Sequence, residues 1–136
     1  MAPRIKKPSR PATGRITVPA EINYDENPPI FSLERLQEGR YCFSEMDDAH
    51  KASFAEAIFK RRNISWAEIK KLNRHKLGFE KISRNSIGAP MPQFITEDVD
   101  HFLAFRFSGM KPMVGYRSRD IFYVLWFDSS FDLYEH

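Results

Sequence analysis

The chain has 136 residues, of which 42% are apolar and 14% aromatic, so we expect one globular domain. Its single cysteine, Cys42, excludes an internal disulfide and a zinc site built on cysteine pairs. No apolar run approaches the ~18 residues that a membrane span requires, which predicts a soluble cytoplasmic protein with no membrane partner. The formal net charge is +3, but ten of the 21 basic residues lie between Lys51 and Arg84, together with only three acidic ones. Such a basic block between acidic flanks favours a polyanionic partner.

The first 28 residues predict a disordered, proline-rich basic tail. Apolar residues are few there, the basic ones are scattered, and prolines recur at Pro3, Pro8, Pro11 and Pro19. The domain is therefore expected to comprise residues 29–136. Its first strand is predicted at residues 39–44, where aromatic residues alternate with smaller side chains.

Two helices follow in the pattern. Residues 49–62 carry apolar side chains at helical spacing, and an aspartate, Asp47 or Asp48, precedes them as an N-cap. A second helix is predicted at residues 65–75, because it begins with the sequence S-x-x-E of a capping box. The sequence therefore places two amphipathic helices between the first strand and the rest of the domain.

The second half of the chain changes to the period of β-strands. Residues 77–82 favour a short strand or an extended connection, and residues 83–93 favour a loop rich in glycine and proline. Three strands with short connections are then predicted at residues 101–107, 113–118 and 121–128. The expected fold class is α+β, with two helices packed on one face of a mostly antiparallel sheet that ends in a three-stranded meander.

The helices carry most of the basic block, and this predicts a nucleic-acid-binding surface. Their apolar stripes pack inwards, so the charged ends are expected to face outwards and share one surface. A solvated helix face without a ligand is the alternative, and the two helices also have the length of a helix-turn-helix. The cations expected on this surface are Lys60, Arg61, Arg62, Lys70, Lys71 and Arg74.

Four further residues are candidates for chemistry. Arg106 and Arg117 lie on neighbouring predicted strands beside aromatic residues, where arginine suits phosphate contact and aromatic rings suit base stacking. The alternative is that both arginines simply point into water. Tyr134 and His136 lie near the end of the sequence, and a phenol and an imidazole can transfer protons. A frayed chain end is the alternative for this pair.

Metal and cofactor chemistry find little support in the sequence. The four histidines lack the spacing of a metal site, and no phosphate-binding loop, dinucleotide-binding glycine pattern or hydrolase elbow is present. Asp128, Asp132 and Glu135 could in principle hold magnesium, but acidic residues after a strand more often serve solubility. We therefore expect no cofactor and no metal.

The order of one strand, two helices and a three-stranded meander resembles the RelE/ParE superfamily of toxin–antitoxin toxins. The resemblance covers residues 39–136 and includes Arg106, the sequence Gly-Tyr-Arg that ends at Arg117, and the apolar last strand. It implies that Arg106 and Arg117 contact phosphate and that Tyr134 or His136 transfers protons. The long loop before the meander and the acidic residues after the last strand depart from the family pattern.

The resemblance implies a metal-independent endoribonuclease that cleaves RNA by attack of the 2′-hydroxyl on the adjacent phosphate. Its expected partners are RNA, including ribosome-bound mRNA, and a cognate antitoxin protein. A branch of the same superfamily acts on gyrase and lacks the nuclease residues, so the fold alone does not decide the activity. The alternative function is a non-catalytic module that binds nucleic acid or docks on a protein through the basic helices.

Overall fold

Two helices followed by four strands form from residue 48 onwards, and one short strand precedes them. The structure is a computed structural model and describes residues 22–136. None of the helices in this range is long and apolar enough to cross a bilayer. The regular elements are β1 (Ile30–Ser32), α1 (Asp48–Lys60), α2 (Trp66–Ile69), β2 (Phe79–Ser83), β3 (His101–Ser108), β4 (Lys111–Ser118) and β5 (Ile121–Phe127).

The five strands form one mixed sheet in the order β1-β5-β4-β3-β2. Strands β2 to β5 are consecutive antiparallel neighbours, and the meander of β3, β4 and β5 has the short connections that this pairing allows. Strand β1 adds to the outer edge of β5 in parallel orientation. The α+β class, the mostly antiparallel sheet and the predicted meander are therefore confirmed.

Both helices pack on one face of the sheet and bury a core rich in aromatic rings. The alternation of β3 directs Phe105 to this face, where its ring centroid lies 6.0 Å from that of Trp66 in α2. Phe54 of α1 meets Phe127 of β5 edge to face at 4.9 Å. These contacts fix both helices against the middle strands.

The start of α1 is set by its N-cap, as predicted. The side chain of Asp47 accepts a hydrogen bond from the backbone N–H of His50 at 2.9 Å. The helix begins at Asp48 and ends at Lys60, close to the predicted range of residues 49–62.

The opposite face of the sheet is covered by the long loop between β2 and β3 and by the segment after β5. Phe102 and Trp126 meet edge to face at 5.5 Å, and Leu133 from the last segment is fully buried in the same cluster. The loop contributes Ile95 to this cluster. The sheet thus has two buried faces, and the residues after β5 are held against one of them.

The second helix is much shorter than predicted. Ser65 caps it by accepting from the backbone N–H of Glu68, which confirms the predicted start, but α2 ends at Ile69 instead of residue 75. Beyond Ile69 the chain continues in turns, and the side chain of Asn73 accepts from the backbone N–H of His75 at 2.8 Å. Such local side-chain hydrogen bonds compete with the backbone hydrogen bonds of a helix. The helix predicted over residues 70–75 does not form, and that part of the prediction is wrong.

The strand predicted at residues 39–44 is wrong, because this segment folds into turns. Gly39 has φ +108°, and residues 43–45 form a 3-10 turn. The carbonyl oxygen of Tyr41 accepts one hydrogen bond from the backbone N–H of Phe127 at 2.9 Å, but one isolated bond does not make a ladder. The first strand of the sheet is β1 instead.

The domain begins earlier than residue 29. Residues 1–21 of the predicted tail lie outside the described range, whereas residues 22–28 contact the folded domain. The carbonyl oxygen of Asn27 accepts from the backbone N–H of Trp66 at 2.9 Å. The side chain of Asn27 also donates to Asp120 at 3.3 Å. The prediction of a disordered tail is therefore wrong for residues 22–28.

Two ion pairs of Asp25 predict a stability that depends on pH. Asp25 binds Lys70 through Oδ2 and Arg117 through Oδ1, both at 2.6 Å. The hydrogen bond from Lys70, followed by that from Arg117, lowers the pKa of Asp25 below its ordinary value of 3.8. A carboxylate with a lowered pKa stabilises the fold above its unfolded pKa and loses this contribution as the pH falls through its folded pKa. We expect Asp25→Asn to cost about 1 kcal/mol at neutral pH, because the pairs are partly exposed.

Urea unfolding of wild type and Asp25→Asn over a pH series measures this contribution. The difference in unfolding free energy between the two should shrink below about pH 4, where the unfolded carboxylate is protonated. Glu97→Gln, which neutralises an exposed carboxylate in the long loop, is the matched control. A difference that stays constant down to acidic pH would contradict the assigned ion pairs.

Candidate active site

The segment after β5 is folded back over the sheet by Asp128. This aspartate is fully buried, and its Oδ1 accepts from the backbone N–H groups of Asp132 and Leu133 at 2.8 and 3.1 Å. Phe131, just before them, has φ +59°, which makes the turn tight. The carbonyl oxygen of Leu133 accepts from the backbone N–H of Gly88 in the long loop at 2.6 Å. These bonds hold the last residues of the sequence against the domain.

His136 is oriented by the same buried carboxylate. Its Nε2 lies 2.9 Å from Oδ2 of Asp128, and its ring stacks on Phe131 with centroids 3.6 Å apart. An ionised carboxylate only accepts hydrogen bonds, so Nε2 carries the proton that it donates to Asp128. In the neutral ring, Nδ1 then has a lone pair for a substrate proton. The pair has the geometry of a histidine base held by an aspartate.

Tyr134 is a buried phenol in the same segment. Its ring centroid lies 4.0 Å from that of His136, and its hydroxyl donates to Oε1 of Glu80 at 3.4 Å. Glu80 is also paired with Arg74. Burial, followed by the charge of Glu80, raises the pKa of Tyr134 well above its ordinary value. The phenol therefore keeps its proton at neutral pH.

Arg106 brings a cation to this group from β3. Its Nη1 lies 2.5 Å from Nδ1 of His75, in the turns after α2. A guanidinium only donates, so Nδ1 of His75 is the acceptor and the neutral ring carries its proton on Nε2. Arg106 thus positions His75 as a second imidazole with a hydrogen-bond donor available.

These side chains meet in one cleft of about 290 Å³, which we call the C-terminal cleft. It holds a guanidinium for a phosphate, a histidine with a free lone pair, and a phenol that retains its proton. Those are the groups that acid–base cleavage of a phosphodiester requires. The functional side chains that line the cleft are Arg74, His75, Glu80, Arg106, Tyr134 and His136.

Arg117 does not join this cleft. Arg106 is paired with Pro112 of β4, and Arg117 lies five residues further along that strand, about 17 Å away. Its guanidinium lies over the ring of Trp66 at 4.3 Å and binds Asp25, on the helix face of the sheet. The two strand arginines that the sequence suggests as a pair therefore lie at opposite ends of the β3–β4 hairpin.

The cations predicted on α1 do not form one outward surface. Arg61 is 1% exposed, so the prediction that it faces outwards is wrong. Arg62 donates to the carbonyl oxygen of Phe59 at 2.8 Å and packs over its ring. Lys60 is exposed and lines a cleft between α1 and the turn from β3 to β4.

Two of the three cations predicted on the second helix are paired with carboxylates. Lys70 is paired with Asp25, and Arg74 is paired with Glu80, whereas Lys71 is exposed. The basic surface predicted across the two helices therefore lacks Arg61, and two of its other cations are paired with carboxylates.

Three residues of the site are not predicted from the sequence in the roles that the structure gives them. His75 contacts Arg106, 31 residues away in the sequence, and Glu80 contacts Tyr134, 54 residues away. No local sequence pattern predicts such contacts. The sequence suggests Asp128 only as a metal ligand. The spacing of Tyr134 and His136, two residues apart near the end of the sequence, is the one local signal that they lie together.

The acidic residues after β5 do not form a ligand set. Asp128 uses both oxygens on the backbone and His136, and Asp132 binds Arg40 and Tyr41. Within residues 22–136, no group of three His, Cys, Asp or Glu side chains is placed to hold a metal ion.

No protein-family model matches the chain, and comparisons with curated proteins and with solved structures give no match either.

Proposed function

We propose that the protein is a RelE-like toxin that acts as a metal-independent endoribonuclease in the cytoplasm. The observation that carries the proposal is the meeting of Arg106, Tyr134 and His136 in the C-terminal cleft. Two helices that precede the meander of β3, β4 and β5 are the part of the family pattern that supports the proposal, whereas the strand expected at residues 39–44 is absent. The proposed substrate is RNA, including ribosome-bound mRNA, and the proposed protein partner is a cognate antitoxin.

The proposed reaction needs only side chains of this chain. Nδ1 of His136 removes the proton of the 2′-hydroxyl, whose oxygen attacks the adjacent phosphorus. Arg106 stabilises the charge on the non-bridging oxygens as the new P–O bond forms. The bond to the 5′-oxygen then breaks, and Tyr134 protonates the leaving oxygen. The products are a 2′,3′-cyclic phosphate and a 5′-hydroxyl. Arg117 has no part in this scheme, because it lies at the other end of β4.

Cleavage of a defined single-stranded RNA by the purified protein tests the proposal. We expect cleavage with and without EDTA, a cyclic-phosphate product, and no cleavage at a position whose nucleotide lacks the 2′-hydroxyl. A DNA strand of the same sequence is the matched control. Loss of activity in EDTA would contradict the metal-free mechanism. Binding of RNA without any cleavage would favour the non-catalytic module instead.

A further inference from the structure

A second cleft adjoins the candidate active site, between the C-terminal half of α1 and the turn from β3 to β4. Its volume is about 430 Å³, and we call it the basic cleft. Four cations line it, against the single carboxylate of Glu56. The cations are Lys60, Arg61, Lys76 and Arg106. An excess of positive charge in a concave site concentrates anions there.

Arg61 gives this cleft a charge that is not neutralised inside the fold. Its guanidinium donates to the carbonyl oxygens of Ala57, Leu77 and Arg106 at 2.9, 3.0 and 3.3 Å. Burial lowers its pKa only to about 10, so it is a cation at neutral pH. Among residues 22–136, no carboxylate pairs with it within 4.0 Å. A buried cation beside a cleft favours an anion in that cleft.

The basic cleft and the C-terminal cleft are adjacent. His75 and Arg106 line both of them, so Arg106 lies between the two. A strand whose scissile phosphate is bound at Arg106 must continue on either side of it. On one side it meets the C-terminal cleft, and on the other it meets Lys60 and Lys76.

We infer that the basic cleft binds the phosphodiester next to the scissile one and thereby guides a single RNA strand through the active site. The inference rests on the proposed function for the identity of the scissile phosphate. A volume of about 430 Å³ is in the range of pockets that enclose small ligands, and it suits one strand instead of a duplex. Lys60 and Lys76 are exposed and supply the phosphate contacts, whereas Arg61 supplies a fixed charge behind them.

The experiment measures the affinity for a short 2′-O-methyl RNA strand, which cannot be cleaved, over a series of KCl concentrations. For Lys60→Ala/Lys76→Ala we expect affinity to fall about tenfold and the salt slope to decrease by about 0.7, since the two lysines bind one phosphodiester and each neutralised phosphate of a single strand contributes about 0.7. Lys70→Ala/Lys71→Ala removes the same charge just after α2, at two residues that line neither cleft, and is the matched variant. We expect it to retain the wild-type slope.

An unchanged slope in Lys60→Ala/Lys76→Ala would overturn the inference. An equal decrease in both double variants would also overturn it, because net charge alone would then explain the effect. Because the 2′-O-methyl strand cannot be cleaved, its binding is measured independently of the proposed nuclease activity. Binding that depends on Lys60 and Lys76 without cleavage of ordinary RNA would contradict the proposed nuclease activity but support the role of the basic cleft. Cleavage of ordinary RNA with an unchanged salt slope would support the nuclease activity but contradict the role of the basic cleft.

Discussion

Replacement of Arg106 by alanine is expected to slow RNA cleavage by about 100- to 1,000-fold. Removal of one group that stabilises the charge of a transition state costs about this much in other enzymes. Arg106 is also the donor that orients His75, so the variant loses a cation and a positioned imidazole together. Single-turnover cleavage at saturating protein measures the effect on the chemical step. Arg106→Lys keeps the charge but loses the planar fork of donors, and an intermediate rate is expected.

Arg117→Ala is the matched comparison for this prediction. It removes the same side chain from the neighbouring strand, but its guanidinium binds Asp25 and packs on Trp66. We expect a lower melting temperature and a cleavage rate within a few-fold of wild type. Equal losses of activity in the two variants, with both still folded, would contradict the assignment of the site to the C-terminal cleft.

Gly115→Ala is expected to have the largest effect on stability. Gly115 lies where the register between β4 and β5 shifts, and a Cβ atom there would lie 1.8 Å from the carbonyl oxygen of Tyr123. It would also lie 3.1 Å from Cα of Val124, so the backbone of β5 would have to move. We expect a loss of about 3 kcal/mol or more in the free energy of unfolding. Thermal unfolding should show a decrease of about 10 °C or more in the melting temperature.

Gly109→Asn is the control, because a side chain at this glycine has open space around it. Gly109 has φ +58°, and a Cβ atom at this position meets nothing within 4 Å. Asparagine tolerates this backbone region, so we expect a loss below about 1 kcal/mol. A Gly115→Ala variant that melts like wild type would show that the register of β4 and β5 differs from the one described.

The elements with strong local patterns are predictable from the sequence. Residues 49–62 and the three strands after residue 100 have apolar residues at the period of their element, and each forms within a few residues of its predicted bounds. Ser65 also begins a helix as predicted, since capping is a local interaction. Strand β1 escapes prediction, because three residues carry no period and depend on the free edge of β5 for their hydrogen bonds.

The candidate site, too, is only partly predictable from the sequence. Residue type alone makes Arg106, Tyr134 and His136 candidates for phosphate contact and proton transfer, and all three line one cleft. Residue type also suggests Arg117, which the antiparallel register places at the far end of β4. Arg61 has the pattern of one more surface cation, yet three carbonyl oxygens hold it inside the fold.

The sequence by itself determined the α+β class, the meander and the chemical types available for a site, because these depend on local periodicity and side-chain chemistry. Tertiary structure decided which of those side chains meet. The contacts of His75 with Arg106 and of Tyr134 with Glu80 join residues far apart in the chain, and the paired strands together with the turn that Asp128 holds bring them together. Position in the sheet likewise decided that Arg106 faces a cleft while Arg117 binds a carboxylate near the start of the domain.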